Sequence, residues 1–415
     1  MPLSVNSDDS ESESESDSTS EDASDEEVSD EINEIYKTQS SAVFKLRMVV
    51  FVATLLAAVG VSLTVFFIMD DTENDEYRAQ YDESAFTVLT SFEEIAAQQL
   101  AAIGSLSVAA TSYARSQPNT TWPFVTLNDF QQRADDIRLL SNSLFVSIIP
   151  VVTEEQRPAW EEYSLSNDGW LNESRVYTEE GLGFALQKAP LDIARGIGDQ
   201  IYIMGPDGPL VDESSGPYFP IWQDSPHFGR DMTPNFNLGY YSEYAPYIKK
   251  SLETGDMIMG GLDTAAAGDI NDSDRTTSFF ARLLSVEADE VVEYPGDPMS
   301  NLFIPIFESF DTTKAPTALI YSVFRWATYF EELLPEDTPG VVVVLENTCE
   351  GPFTYTVVGE KAEYMGQGDL HARKFDNMVR AVNFAREDDL LEASLGIGVN
   401  QDICAYSLRV YPSQE

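Results

Sequence analysis

The feature that most constrains this chain is an uncharged run of 22 residues, Met48 to Met69 (MVVFVATLLAAVGVSLTVFFIM). As an α-helix the run is about 33 Å long, which is enough to cross a hydrocarbon core of about 30 Å. It is apolar on every face, which disfavours a buried core helix. It is also too long, and begins too late, for a secretory signal peptide. The run predicts one membrane-spanning helix over residues 45–70.

The charges that flank this run predict its orientation. Lys37, Lys45 and Arg47 precede it, and five acids follow it at once: Asp70, Asp71, Glu73, Asp75 and Glu76. The positive-inside rule therefore places the N-terminus in the cytoplasm and the region after Asp70 on the exterior side. We expect a single-pass protein of the plasma membrane whose C-terminal region is extracellular.

Acidic residues dominate the chain and exclude one class of partner. Net charge is −47 over 415 residues, and the first 36 residues contribute 14 acids without a Lys or Arg, so the remainder carries −33. A nucleic-acid binder needs basic phosphate contacts, so no nucleic acid is expected as a partner. The balance suits an exterior domain that keeps away from anionic lipid.

The N-terminal segment is rich in acids and serines and has almost nothing to bury. Such a composition predicts disorder, so residues 1–44 are interpreted as a disordered acidic cytoplasmic tail. Five serines have an acid three residues on, which acidophilic kinases prefer: Ser10, Ser12, Ser14, Ser18 and Ser24. Phosphorylation there would add charge. A solvated tail without a specific role is the alternative.

A long membrane-proximal helix is predicted over residues 71–116. Apolar residues keep a three-four spacing broken at Gln99, namely Leu89, Phe92, Ala96, Ile103, Leu106, Ala110 and Tyr113. The Ala-rich stripe predicts close packing of a second helix or of this domain's own core. We expect both, with the lower part of the helix, including Phe92, Ala96, Ile103 and Leu106, pairing in a homodimer.

Mixed strands and helices follow, which predict an α+β fold with antiparallel sheets and helices to one side. Strands are predicted at 143–152, 201–204, 301–308, 317–324, 340–346 and 353–358. Helices are predicted after Thr126 or Asn128 and after Thr153, with these residues as caps, and near 242–252, 327–334 and 374–386. Two units would fill the length, a sensor core over 117–335 and a C-terminal subdomain over 336–415.

Two covalent modifications fit the exterior assignment. Cys349 and Cys404 lie beyond the anchor, where disulfides persist, and we expect them to be bonded. Asn119, Asn172 and Asn271 each begin an Asn-x-Ser/Thr glycosylation acceptor. All three lie on the same side of the membrane run, as the predicted topology requires.

The sequence gives no sign of catalysis. It contains no Gly-x-Ser-x-Gly, His-Glu-x-x-His, Cys-x-x-Cys or Walker motif. The run that begins at Asp269 resembles a calcium loop but has Asp274 and Phe280 where Gly and Glu are needed. His371 has Asp369 and Asp376 at a spacing that a metal could accept, yet a turn with Asp369 as helix cap is favoured. His227 is interpreted as a loop residue. We expect no metal and no cofactor.

A small-molecule site is predicted around Tyr218, Trp222 and Gln223, followed by Asn235 and Asn237. Aromatic walls with a few polar groups in a turn-rich segment are what a ligand pocket needs. Plain core packing of Trp222, and equally of Trp122 and Trp326, is the alternative.

Two groups of motifs carry a family resemblance. The segments WPFVTLNDF, IIPVV and EEQRPAWEEYS resemble the CHASE-type sensors, ligand-binding ectodomains that follow a first membrane helix in receptor kinases and cyclases. A second set is similar to the exterior region of the receptor-type guanylate and adenylate cyclases of diatoms, from about Phe44 to the end of the chain. It comprises KLRMVVFVATLLAAVGVSLTVFF, YFPIWQDSP, PNFN, FRWATYFEELLP, VVVVLENTC, GQGDLH and CAYSLRVYPS.

The resemblance implies a sensor with a CHASE-like, tandem PAS-like fold that binds an unknown small molecule. In the family a second membrane helix and a cyclase domain follow, and neither is present before Glu415. We therefore expect a truncated version of such a receptor, or a fragment that signals through partners, and no enzyme in this chain. A cell-surface adhesion or structural glycoprotein is one alternative. An exterior hydrolase using carboxylates is another.

Overall fold

The computed structural model describes residues 25–118, 120–179, 200–205, 208–226, 234–263, 298–336, 338–383 and 399–413. The helices are α1 Asp25–Ser116, α2 Phe130–Ser141, α3 Arg157–Ser166, α4 Gly169–Glu179 and α5 Ala245–Thr254. The strands up to Arg325 are β1 Ser143–Pro150, β2 Tyr202–Gly205, β3 Gly208–Val211, β4 Gln223–Ser225, β5 Met257–Asp263, β6 Met299–Ile306 and β7 Ala318–Arg325. The later strands are β8 Val341–Asn347, β9 Phe353–Val358, β10 Lys361–Gln367, β11 Arg380–Asn383, β12 Val399–Asn400 and β13 Tyr406–Pro412.

The chain divides into two compact units, residues 1–77 and 78–415. In the first unit the predicted membrane run lies within α1, and every residue from Met48 to Met69 is exposed. Thr54 and Thr64 donate their hydroxyls to the carbonyl oxygens of Val50 and Gly60 at 2.8 Å. Because these bonds stay inside the helix, the two threonine hydroxyls are paired without a partner from outside it. Within the described residues α1 is long and apolar enough to cross a membrane.

Residues 25–44, predicted as disordered, are helical in the structure because α1 begins at Asp25. Helix propagation is easier than nucleation, so an apolar helix extends into neighbouring residues that form helices well. The tail before Asp25, with its five predicted phosphorylation sites, lies outside the described residues.

The second unit is a mixed α+β structure, as predicted. Its first sheet has six strands in the order β12-β5-β6-β7-β1-β4, antiparallel except for β12 with β5. Its second sheet has five antiparallel strands in the order β10-β9-β8-β13-β11. Strands β2 and β3 form a small hairpin that belongs to neither of these sheets.

One hydrophobic core joins both sheets to α1. On α1 it includes Phe92, Ala96, Ile103 and Leu106, the residues predicted to face a second protomer. Ala96 is only 4% exposed and the other three are fully buried. Packing the stripe against both sheets removes more apolar surface from water than a helix pair would. The predicted position of the dimer seam is therefore wrong.

Several local predictions also need correction. Residues 374–386 were predicted helical, but the described part, up to Asn383, follows a 3₁₀ turn at Arg373–Phe375 and contains strand β11, which pairs with β13. Residues 384–386 lie outside the described residues. Residues 327–334 contain only a short 3₁₀ turn, Ala327–Tyr329. Long-range strand pairing and packing override local propensity in both places.

The predicted helix caps meet different fates. Thr126 and Asn128 do not cap α2, since Asp129 precedes that helix in the left-handed region and Thr126 bonds to Tyr163 instead. Thr153 exchanges hydrogen bonds with Gln156, so it closes the turn that leads into α3.

Candidate ligand-binding region and its link to helix α1

The structure brings together the segments that hold the five predicted ligand residues. Residues 218–223 run beside 235–237, with Pro220 opposite Asn237. The backbone N–H of Ile221 donates to Phe236 O, and that of Asn235 donates to Ile221 O, both at 2.9 Å. This pairing places Tyr218, Trp222, Asn235 and Asn237 in one neighbourhood. Gln223 continues into β4.

Trp222 is 1% exposed and lies in a cluster of aromatic rings. Its ring meets Trp160 edge-on at 5.3 Å between centroids and Trp170 at 5.6 Å. The indole N–H donates to Thr126 Oγ1 at 3.1 Å. Edge-to-face pairs of this kind stabilise a core beyond simple burial. The alternative that Trp222 is a packing residue describes its position well.

The buried side-chain amides of Asn235 and Gln223 each use both the oxygen and the nitrogen in hydrogen bonds within the protein. Asn235 accepts from Trp160 Nε1 at 2.9 Å and donates to Ser164 Oγ at 2.8 Å. Gln223 accepts from the backbone N–H of Leu127 at 2.7 Å and donates to its carbonyl oxygen at 2.9 Å. Each amide therefore links segments that are distant in sequence. The hydrogen bonds offset the free-energy cost of burying the polar atoms.

Tyr218 and Asn237 complete the same framework. The Tyr218 hydroxyl lies 2.7 Å from Glu154 Oε2 and 2.6 Å from Ser214 O. Burial raises the pKa of Tyr218, and its bond to Glu154 raises it further. Asn237 accepts from the backbone N–H of Phe219 at 2.9 Å and donates to Asp212 Oδ2 at 2.5 Å. Contact of these five residues with a ligand stays a prediction, and it would require some of these bonds to exchange.

Arg157 is a residue of this region that sequence reasoning did not select. It donates to Glu161 Oε1 at 2.8 Å and to Asp212 O at 2.6 Å, and its guanidinium lies 4.7 Å from the centre of the Tyr218 ring. Burial lowers the pKa of Arg157, but bonds to Glu161 and Tyr218 raise it more. The (i, i+4) spacing of Arg157 and Glu161 was the available signal.

A second set of residues missed by sequence reasoning forms a row across the first sheet. Strand register places Asp224 opposite Ser147, Ser147 opposite Tyr321, and Tyr321 opposite Phe303. Tyr321 and Phe303 stack at 5.0 Å between centroids. Asp224, Ser147 and Tyr321 are fully buried.

This row lies on the sheet face opposite α1. Ile320 and Ile304, which alternate with Tyr321 and Phe303 along their strands, belong to the core that contains α1, whereas Tyr321 and Phe303 belong to a separate cluster. The Tyr321 hydroxyl donates to Asn301 Oδ1 at 2.8 Å. A carboxylate, hydroxyls and an amide among aromatic rings are the chemistry of a small-molecule site.

Helix α1 bonds to both sheets. Ser107 Oγ donates to Pro305 O at 2.6 Å, and Thr111 Oγ1 donates to Phe307 O at 3.1 Å. These two contacts hold the helix at β6 and its C-terminal end. Two residues nearer the membrane run, Tyr81 and Asp82, contact β13 and β11 of the second sheet.

The link between the two sheets also packs on α1. Trp326 to Phe330 connect β7 toward β8, and Phe92 of α1 stacks on Phe330 at 5.6 Å and on Trp326 at 6.4 Å. Trp326 Nε1 donates to Ser300 Oγ at 2.8 Å. Trp326, fully buried, is thus held by contacts to both β6 and α1.

Cys349 and Cys404 form a disulfide, as predicted, with their Cα atoms 5.5 Å apart. The bond fixes residues 399–406, which also contact the first sheet. Strand β12 pairs with β5, and the Tyr406 hydroxyl donates to Gly260 O of β5 at 2.5 Å. In addition, Asp402 pairs with Lys250 of helix α5 at 2.6 Å. We call residues 399–406 the strap, because they connect the second sheet to the first.

His371 lies in a turn between β10 and β11, where no α-helix forms for Asp369 to cap. Its Nδ1 contacts Asp369, its Nε2 lies 2.9 Å from Asp376 Oδ1, and its ring stacks on Tyr411 at 3.7 Å between centroids. Burial lowers the pKa of His371, but Asp369 and Asp376 raise it more, so the net shift is upward. Across the described residues no group of three His, Cys, Asp or Glu is arranged to hold a metal ion.

The predicted modification sites are placed only in part. Asn172 lies exposed on α4, and the hydroxyl of Ser174 in the same acceptor is buried and bonded to Trp170 O at 2.8 Å. Asn119, Asn271, His227 and the loop that begins at Asp269 lie outside the described residues.

Comparison with known proteins adds no family: no protein-family model matches the chain, and no curated protein matches it. Over its described residues the chain has one candidate membrane-spanning helix and a mixed α+β unit that contains a disulfide.

Proposed function

We propose that this chain is a single-pass membrane receptor whose exterior α+β unit senses a small molecule, similar to the CHASE-like input region of a receptor-type nucleotide cyclase. One observation carries the proposal. The helix that contains the candidate membrane span, α1, also bonds to both sheets of the α+β unit. A movement of either sheet can therefore be transmitted to the helix through these hydrogen bonds.

The ligand in this proposal binds at the sheet face that carries Asp224, Ser147 and Tyr321. Tyr321 lies on β7, which leads through Trp326 to Phe330 and so to Phe92 on α1. A ligand that contacts Tyr321 better in one arrangement of β7 favours the matching arrangement of α1. It can shift that equilibrium only by its differential affinity for the two states. The chain itself needs no catalytic group for this role.

A homodimer remains part of the proposal, with a different helix face as its seam. On the side of α1 away from the core, Phe86 is 70% exposed and Val108 is 39% exposed. Two small residues, Ala97 and Ser105, lie between them and allow close helix approach. Val108→Glu should weaken self-association in sedimentation while the circular dichroism spectrum stays that of the folded protein. Unchanged association would place the seam elsewhere.

The sensing role is tested on the full chain in lipid nanodiscs. Free amino acids, nucleosides and small amines are added singly, and melting temperature and hydrogen exchange are measured. The proposal expects one compound to raise the melting temperature of the wild type, to slow exchange in β7 and in residues 78–116 of α1, and to lose its effect in Asp224→Asn. Asp136→Asn, an exposed acid on α2, is the matched control.

If no compound binds, and if Asp224→Asn leaves exchange in α1 unchanged, the sheet face is not coupled to the helix. That result would contradict sensing and favour the adhesion alternative.

A further inference from the structure

The turn between β10 and β11, residues 368–379, reaches the face of the second sheet that is turned away from α1 through His371 and Val379, whereas Met378 packs against the core that contains α1. Tyr411 forms a small cluster there with Val342, Val344 and Val379. The neighbouring residue Val410 belongs to the core that contains α1. His371 lies on Tyr411 with the two ring planes within 6° of parallel. Strand β13 therefore has His371 on one face and α1 on the other.

Both ring nitrogens of His371 face carboxylates, Nδ1 toward Asp369 and Nε2 toward Asp376. An ionised carboxylate only accepts hydrogen bonds, and a neutral imidazole carries a single N–H. The two contacts can therefore both be hydrogen bonds only when the ring is a protonated imidazolium. A neutral ring would turn one lone pair toward a carboxylate oxygen.

The charges around the ring favour the imidazolium. Asp369 and Asp376 come from its own turn, Tyr411 and Arg409 from β13, and Glu346 from β8. Arg409 pairs with Glu346 and lies 3.7 Å from Asp369, so its charge is shared between two acids. Among the described residues, the basic group that pairs with Asp376 is the imidazole of His371.

We propose that His371 is a pH-sensitive latch, which as an imidazolium holds residues 368–379 on β13 and on losing its proton releases the Asp376 side of that turn. The Asp376 side chain is 61% exposed, against 27% for Asp369, so water can replace a lost hydrogen bond more readily at Asp376 and a single proton is best kept toward Asp369. Asp376 then loses its partner, and the 3₁₀ turn Arg373–Phe375 that precedes it loosens.

The direction of the pH effect follows from linkage. The pKa of His371 is raised in the folded protein relative to the unfolded value of about 6.5. The stabilising contribution is thus fully present below the unfolded value and is lost as pH rises through the folded value. For each unit between the two values, the opening equilibrium changes about tenfold.

The latch lies close in the chain to a contact of α1. Arg380 follows the turn directly, begins β11 and pairs with Asp82 of α1 at 2.8 Å. Release of residues 368–379 would therefore first weaken the contacts between α1 and the second sheet. This inference does not depend on the ligand-sensing role, since it concerns a different sheet and needs no ligand.

The experiment uses the full chain in nanodiscs between about pH 5 and about pH 9, a range that brackets the ordinary histidine pKa. With only two histidines in the chain, labelled imidazole resonances can be assigned by comparison with His371→Gln. Hydrogen exchange of residues 368–379, corrected for intrinsic rates, reports release of the turn. Asp376→Asn removes one carboxylate, and Asp136→Asn is the matched control on an exposed helix surface.

The inference expects a His371 titration midpoint above the ordinary value, faster exchange of residues 368–379 above that midpoint, and a lower midpoint in Asp376→Asn alone. Unchanged far-ultraviolet circular dichroism shows that each variant is folded. A midpoint at or below the ordinary value would overturn the inference. So would turn exchange that does not change with pH, or a pH dependence that survives in folded His371→Gln.

Discussion

Tyr81 on α1 and Val410 on β13 are joined by a 2.7 Å hydrogen bond from the phenol to the carbonyl oxygen, across 329 residues of sequence. The next residue of the helix, Asp82, pairs with Arg380 on β11, the neighbouring strand. Two successive residues of α1 thus contact two adjacent strands of the second sheet. Ser107 and Thr111 make the corresponding contacts with the first sheet.

Tyr81→Phe should lower the free energy of unfolding by about 1 kcal/mol, since it removes one buried hydrogen bond and little volume. Denaturant unfolding of the full chain measures the change. Tyr240→Phe, at an exposed tyrosine, is the control and should have almost no effect. An equal loss in both variants would show that the bond to Val410 contributes nothing specific.

Ala96→Glu should unfold the protein. The substitution places a carboxylate in a closed apolar core, where burying a charge without a compensating partner is costly. Glu94→Lys, on the exposed side of the same helix, should change stability by less than about 0.5 kcal/mol. Circular dichroism and sedimentation of both variants separate the cases. A folded, monomeric Ala96→Glu protein beside a dimeric wild type would restore the seam predicted from sequence.

Asn235→Ala should cost about 1–3 kcal/mol of stability, since the indole N–H of Trp160 and the hydroxyl of Ser164 lose a buried partner. Thermal unfolding measures the loss. Asn128→Ala, at an exposed asparagine, is the control. A stable Asn235→Ala variant would mean that this amide is not a packing residue and would return it to the candidate ligand contacts.

Replacing both Cys349 and Cys404 by Ser should lower stability by about 2–5 kcal/mol, because the disulfide closes a long loop. It should also raise hydrogen exchange in the strap, residues 399–406, more than in β9. Peptide mapping under non-reducing conditions tests the bond itself. Recovery of two free thiols from the folded wild type would refute it.

The sequence predicted best the elements whose signal is local. The membrane run follows from composition alone, and Phe353–Val358 was predicted with the bounds of β9, since a β-branched and aromatic run between turns favours a strand. The helix predicted at 374–386 is absent from its described part, 374–383, because β11 is defined by pairing with β13, whose partner residues lie 24 to 30 positions away in the chain. The hydrophobic periodicity of a segment does not indicate which distant strand it pairs with.

The candidate site depends on distant contacts in the same way. Tyr218, Trp222, Asn235 and Asn237 were selected for their chemistry, and the structure does gather them. Their partners include Arg157, Asp212 and Ser164. No sequence pattern in the segments that hold these partners predicts the contacts. The row of Asp224, Ser147 and Tyr321 exists only through strand register, which sequence patterns specify weakly when strands are buried on both faces.

The central claim is that Met48–Met69 crosses a membrane and leaves the α+β unit on the exterior side. The direct measurement adds protease outside intact cells that express the chain with one tag at Met1 and another at Glu415. The account predicts loss of the Glu415 tag and survival of the Met1 tag, with both lost only after detergent. Survival of the Glu415 tag and loss of the Met1 tag would contradict it.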